Sequence, residues 1–204
     1  MDLPNSDLHG SAPDHCSAAL LLVDVINPLD FPEADQLIPH ARPMAERLRD
    51  LKVRCKSLGI PVIYSNDNFG RWRSDFRAIL AECEKADCRG RFLIESLRPD
   101  EDDYFVLKPK HSAFFSTALD ILLKYLGTRT LILGGVAGNI CVLFSANEAY
   151  MRDFRVVVPR DGVASNTADE NDAAIEEMHR VLKADVRSAD EWTEAELKKL
   201  LSDR

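Results

Sequence analysis

The sequence predicts an α/β protein, a three-layer αβα sandwich around a central, mostly parallel six-stranded sheet. Two observations carry this. Short apolar runs alternate with helically spaced segments about six times from residue 18 to the end, and no hairpin signal such as Asn-Gly interrupts them. The first run, AALLLVD (18–24), is continuously apolar until it ends on Asp24, as suits a strand buried on both faces.

The remaining elements follow in order. A loop rich in Pro, Asp and Asn leads to residues 41–58, where apolar residues recur at helical spacing until Gly59 stops the helix. IPVIYSN (60–66) reads as the second strand, and the polar DNFGRWRSDF leads into a helix over 75–85. YFVLK (104–108) is the third strand, ending on Lys108, and TALDILLKYLG is the helix after it. TLILGG is the fourth strand, followed by a helix that opens around Asn139 to Cys141. RVVVP (155–159) is the fifth strand, DENDAAIEEMHRVLKA a helix, and DVRSA a short sixth strand. The last helix, 193–202, has Thr193 as its cap with Glu196 in capping-box position.

At 204 residues the chain suits one large domain, residues 18–204, behind a polar, acidic leader, residues 1–17, expected to be mobile. Hydrophobic residues at 46% and charged residues at 29% are the balance of an ordinary globular protein. The net charge of −8, with no basic run to override it, argues against nucleic acid and anionic membranes as partners. No apolar run approaches the ~20 residues a membrane span needs, and the start lacks the basic-then-apolar order of a signal peptide. The five cysteines have no disulfide rhythm, which fits a reducing, cytoplasmic setting. Cys83 and Cys88 are too loosely spaced, with no second pair, to argue for a metal site.

Ligands of an open parallel sheet bind beyond the carboxyl ends of its strands, where strand order reverses. Asp24, Lys108 and Cys141 each sit at or just past such an end. Singly, each has a plain reading: a loop-starting aspartate, a solvated lysine, a buried thiol acting as a small hydrophobe. Together they form a coherent set, with Asp24 as proton acceptor and donor, Lys108 as a cation favouring ionised groups, and Cys141 as nucleophile. The helix start at Cys141 is expected to lower the thiol's pKa below its free value of ~8.5. The small residues Gly135, Ala137 and Gly138 are expected to let a substrate approach the main chain.

These residues carry a resemblance. LLLVDVIN around Asp24, LKPKHSAFFST after the third strand and GGVAGNICVLFSANEAYMRDFRVVVPRDGVAS are similar to the isochorismatase-like cysteine hydrolases, which include nicotinamidase and N-carbamoylsarcosine amidase. The likeness covers nearly all of residues 18 to 190. It implies a triad of Asp24, Lys108 and Cys141, with Lys108 preferred to Lys110, a cis peptide between Val136 and Ala137, and an oxyanion hole from the N–H groups of Ala137 and Cys141. It implies a homo-oligomer, dimer or tetramer, acting on a small molecule. The sequence also departs from the family. Nicotinamidases hold a metal with an aspartate and two histidines after the second strand, whereas SNDNFGRWRSDF has no histidine and His111 alone lies near the site. No metal and no cofactor are therefore expected. True isochorismatases cleave a vinyl ether and lack the nucleophilic cysteine, so Cys141 points instead to an amide or carbamoyl C–N bond. Where many relatives have Gln-Asn-Asp-Phe, this chain has Ile26-Asn27-Pro28-Leu29, which bears on substrate contacts.

Candidate pocket residues are Asn27, Phe31, Asn66, Phe69, Trp72, Phe114 and Phe115, each with an alternative reading as core or loop packing. Arg71 and Arg73 could bind a substrate carboxylate. Two other classes compete. A dinucleotide-binding fold would need G-x-G-x-x-G after the first strand, where VDVINPLDF stands instead. A non-hydrolytic relative, sensing oxidants through Cys141 or binding a small molecule, would need the thiol but no proton shuttle.

Overall fold

The computed structural model describes residues 15–70, 72–73 and 75–202. The sheet has six strands: β1 (Ala18–Val23), β2 (Val62–Asp67), β3 (Tyr104–Lys108), β4 (Thr130–Val136), β5 (Arg155–Val157) and β6 (Val163–Ala164). Their order is β3-β2-β1-β4-β5, with β6 paired to the far end of β4, and every pairing is parallel. The chain moves outward one way through β2 and β3, then returns beside β1 with β4. The carboxyl ends of β1 and β4 thus flank the point where strand order reverses.

Seven α-helices cover the sheet among the described residues: α1 (Ala34–Ser57), α2 (Phe76–Cys83), α3 (Arg91–Leu97), α4 (Leu119–Leu126), α5 (Leu143–Met151), α6 (Ala168–Leu182) and α7 (Glu194–Ser202). The continuous apolar run of β1 is explained by two cores. Ala18, Leu20 and Leu22 face one cluster with α1, Trp192 and α7, while Ala19, Leu21 and Val23 face the other with residues of α4, α5 and α6. Truncating any of these fully buried leucines to Ala should cost about 2–5 kcal/mol.

Several expected boundaries shift for physical reasons. Helix α1 begins seven residues before the expected start at 41, running through Pro39 and Pro43. Its buried positions, Ala34, Leu37, Ala41, Met44, Leu48, Leu51 and Cys55, keep strict helical spacing, while both prolines face solvent. Packing of that stripe carries the helix past two missing N–H donors. DVRSA, expected as the sixth strand, makes only an isolated bridge, Asp185 to Val157, and the sixth strand is Val163–Ala164. Asp185 instead clasps Arg187 (3.0 Å), a side-chain contact that takes the segment away from the sheet. Helix α3 has no counterpart in the sequence reading. Thr193 caps α7 by accepting from the Glu196 N–H at 3.4 Å, while the Glu196 carboxylate turns to Arg187 (3.0 Å).

Most of the expected leader lies outside the described residues. Its last part already belongs to the domain: Cys16 is buried and donates its N–H to Leu126 O (2.7 Å), and Ser17 O accepts from Arg129 and Thr130. Among the described residues, no helix is long and apolar enough to cross a membrane.

Candidate active site

Asp24 is the first residue past β1. It adopts a left-handed φ of 52°, a conformation that aspartate tolerates better than most residues. Its N–H still donates to Ser65 O (2.9 Å), extending the sheet bonding by one residue, while the turn carries the carboxylate under the rim. Oδ1 of Asp24 accepts the Asp67 N–H at 2.7 Å, and Oδ2 meets Lys108 Nζ at 2.8 Å. Lys108, the last residue of β3, is wholly buried. Its ammonium also faces Asp67 Oδ2 at 3.5 Å and donates to Cys141 Sγ at 3.6 Å. The thiol contacts the Asp24 carboxylate as well. Three groups from the ends of three strands therefore meet in one contact network.

Cys141 lies in a single π turn, Gly138–Val142, that leads into α5. The Ala137 carbonyl accepts from Ile140 N–H and Val142 N–H, both at 3.1 Å, so these bonds bracket the Cys141 N–H without using it. Such wide turns recur at functional sites. The Val136–Ala137 peptide is cis. Ser165 holds the turn from behind, its Oγ accepting the Asn139 N–H (3.1 Å) and donating to Asn171 Oδ1 (3.0 Å). Ser145 ties the loop after β3 to the π turn: its Oγ accepts the Ala113 N–H (2.9 Å) and donates to Cys141 O (2.7 Å). Ser112, within the Ser-Ala-Phe run, accepts the Phe114 N–H (3.1 Å) and shapes that same loop.

Electrostatics set the resting state. Burial pushes the Asp24 carboxyl above the usual range, against the pull of Lys108. Burial works against the Lys108 ammonium, yet the charges of Asp24, Cys141 and Asp67 together hold it above its ordinary value. Burial first, and the Asp24 charge second, push the Cys141 thiol up to about 12, with Lys108 opposing. This runs against the expectation of a lowered thiol pKa: burial first, with the Asp24 charge, opposes the helix start. The Asp24 carboxyl, its affinity for protons raised, stands beside that thiol.

The thiol opens into a cavity of about 540 Å³. Of the expected pocket residues, Asn27, Phe31 and Phe69 line it, as does Ala137. Asn66, Trp72, Phe114 and Phe115 do not. Asn66 is buried and donates to Ile26 O (2.8 Å), bracing the loop after Asp24. Phe114 is a core residue against Phe154 and beneath the Arg152 guanidinium (4.8 Å), while Trp72 and Phe115 point to solvent. Arg73 is exposed and outside the lining, and Arg71 lies outside the described residues. The lining also includes Glu33, Leu37, Asp67, Val136, Ile140 and Asn166, which the sequence reading missed. Asp67 had a visible signal, an acid at the end of a strand, but it was hidden in the polar run SNDNF.

Of the three small residues expected to admit a substrate, Ala137 lines the cavity, whereas Gly135 and Gly138 have a different role. A Cβ on Gly135 (φ +128°) would lie 2.0 Å from Val23 O, and one on Gly138 would lie 2.7 Å from Asn171 Oδ1. They let the protein's own chain pack closely.

The comparisons with known proteins converge on the same blocks of sequence. Residues 18–191 match the family model for the isochorismatase domain. The chain belongs to the isochorismatase family. An uncharacterized isochorismatase family protein of Bacillus subtilis is 40% identical over 176 residues, spanning 86% of this chain and 96% of that protein. A ureidoacrylate amidohydrolase of Acinetobacter baylyi is 25% identical over 201 residues, spanning 85% of this chain and 78% of its own length. The crystal structure of N-carbamoylsarcosine amidase from Thermoplasma acidophilum superposes with a TM-score of 0.67 at 29% identity, covering 85% of this isochorismatase-family chain and 97% of the amidase.

Proposed function

We propose that this isochorismatase-family protein is a cysteine hydrolase that cleaves an amide or carbamoyl C–N bond of a small molecule, without a metal ion. The observation that carries the reading is the contact of one thiol with both a buried lysine and a buried aspartate on the floor of a cavity. Asp24 takes the Cys141 proton as sulfur attacks the carbonyl carbon, and Lys108 holds the charge that Asp24 and sulfur share. The N–H groups of Ala137 and Cys141 receive the oxyanion; a donor of this kind is worth roughly a hundredfold or more in rate. As the C–N bond breaks, Asp24 returns the proton to the leaving nitrogen, leaving a thioester. Water then gives a proton to Asp24 and its oxygen to the carbonyl, the thiolate departs, and Asp24 reprotonates it. The two amidohydrolases among the relatives support the choice of a C–N bond.

Ammonia release from a panel of primary amides, carbamoyl compounds and ureas tests the reading. Wild type should release ammonia from at least one of them and Cys141→Ala from none; equal release by both would sink it. A reading as an oxidant sensor is less favoured, since a sensor needs the thiol but not the buried Asp24–Lys108 pair set against it. We further propose a homo-oligomer, supported by the exposed apolar side chains Ile140, Phe144 and Met151, which recur at helical spacing from the π turn to the end of α5. The five cysteines, with no disulfide rhythm in the sequence, support a reducing, cytoplasmic setting.

A further inference from the structure

The charges that line the catalytic cavity constrain what enters it. Three carboxylates, Asp24, Asp67 and Glu33, line the cavity. One ammonium opposes them, Lys108, which is wholly buried beneath the floor and committed to Asp24 at 2.8 Å and Asp67 at 3.5 Å. Among the described residues no arginine or lysine lines the space. The exposed His111 ring, with Nδ1 3.8 Å from Cys141 Sγ, is a further ionisable group in contact with the thiol.

Glu33 is exposed, at the residue preceding α1, and its side chain makes no capping bond to that helix. Its carboxylate is therefore available to whatever occupies the cavity. Asp67 is partly committed, one oxygen accepting the Phe69 N–H at 2.6 Å and the other facing Lys108. Phe31, Leu37 and Ile140 supply an apolar wall.

A substrate carboxylate entering this space would meet a negative field and, among the described residues, find no lining guanidinium or ammonium to receive it. An amine or an uncharged amide meets acceptors. We propose that the cavity admits compact, partly apolar substrates that are uncharged or carry an amine, and rejects those that carry a carboxylate, with Glu33 and Asp67 setting the preference. The word substrate here rests on the hydrolase reading above; the charge selection itself does not. The proposal parts from simple transfer of a relative's substrate, because carbamoylsarcosine and ureidoacrylate are both carboxylates.

The test reads access to the thiol, so it does not depend on turnover. Cys141 is reacted at pH 8 and low salt with two methanethiosulfonates of similar size, one bearing a trimethylammonium group and one a sulfonate. The sites of modification are resolved by peptide mass spectrometry. The cation-to-anion rate ratio is divided by the same ratio for 2-mercaptoethanol, which removes the reagents' intrinsic difference. The expected corrected ratio is about tenfold or more, falling roughly threefold or more in Glu33→Gln and again in Asp67→Asn. A corrected ratio of one or below overturns the proposal. A high ratio unchanged in both variants overturns the assignment to these carboxylates. Glu33→Gln is a surface change, so its result does not hang on folding. In parallel, N-(2-aminoethyl)urea and N-carbamoylglycine are compared for ammonia release, the former expected to be preferred at least tenfold. Preference for N-carbamoylglycine overturns the proposal. Release from neither bears on the hydrolase reading alone, and the thiol ratios then decide charge selection.

Discussion

The molecule buries two lysines against aspartates, one at each end of β3, and they do different things. Before the strand, Lys52 of α1 meets Asp103 at 2.7 Å and Asp100 at 3.1 Å, and donates to Tyr64 Oη (2.9 Å) and Arg98 O (2.8 Å). Lys56 closes the group from outside, on Asp100, Asp102 and Asp103 at 2.6–2.9 Å. Every partner there is an oxygen, and together they lock α1 to the segment before β3. After the strand, Lys108 meets one close carboxylate, a second at 3.5 Å and a sulfur at 3.6 Å, and that sulfur opens to a cavity. A buried ion pair alone is thus no mark of catalysis. What separates the two groups is a thiol in place of an oxygen partner, and space beyond it.

The contrast orders the expected effects of substitution. Cys141→Ala should reduce turnover by at least about a thousandfold with the fold intact, read as kcat alongside urea denaturation. Asp24→Asn should cost about 10²–10⁴ in kcat, because the proton carrier is gone, yet leave Cys141 open to alkylation. The folded pKa of Cys141 lies above its ordinary value. The protonated thiol therefore contributes stability in full below pH 9, and that contribution fades as pH climbs toward about 12. Removing the Asp24 charge should shift the pH midpoint of iodoacetamide reactivity downward; an upward shift would contradict the account.

The two lysines give the sharpest pair. Lys108→Met should lower kcat/KM by about a hundredfold or more, and cost less stability than Lys52→Met because Asp24, already inclined to hold a proton, can become neutral. Lys52→Met should cost about 2–3 kcal/mol, since Asp103 loses one of its two ammonium partners and keeps Lys56 and the Asp100 N–H, with kcat/KM of the folded enzyme unchanged. If the two variants lost activity and stability in the same proportion, the distinction between lock and catalyst would fail. Lys56→Met, a partly solvated ion pair, should cost about 0.5–1 kcal/mol and nothing in activity.

Sequence revealed most where one local rule decided the outcome. β3 begins and ends where YFVLK does, because a short β-rich run between polar turns has one way to pair. The meeting of Asp24, Lys108 and Cys141 was legible because each stands at or just past a strand end, and parallel topology gathers strand ends. The first turns of α1 were hidden by Pro39 and Pro43, whose local signal loses to the buried stripe on the other side of the helix. β6 has two residues, too few for any periodicity, and exists only because Gly135 and Val136 offer it a register. The direction of the thiol shift was illegible for another reason. The helix start lies in the sequence, whereas burial and the placement of Asp24 against sulfur arise only from the assembled sheet.

The most direct test of the central claim is intact-mass spectrometry of the acid-quenched enzyme during turnover of whichever panel compound releases ammonia. The account predicts a mass increase equal to the acyl or carbamoyl fragment, mapped to Cys141 and absent from Cys141→Ala, with ammonia appearing in the same interval. Ammonia release from wild type with no adduct at any quench time, persisting in Cys141→Ala, would contradict it.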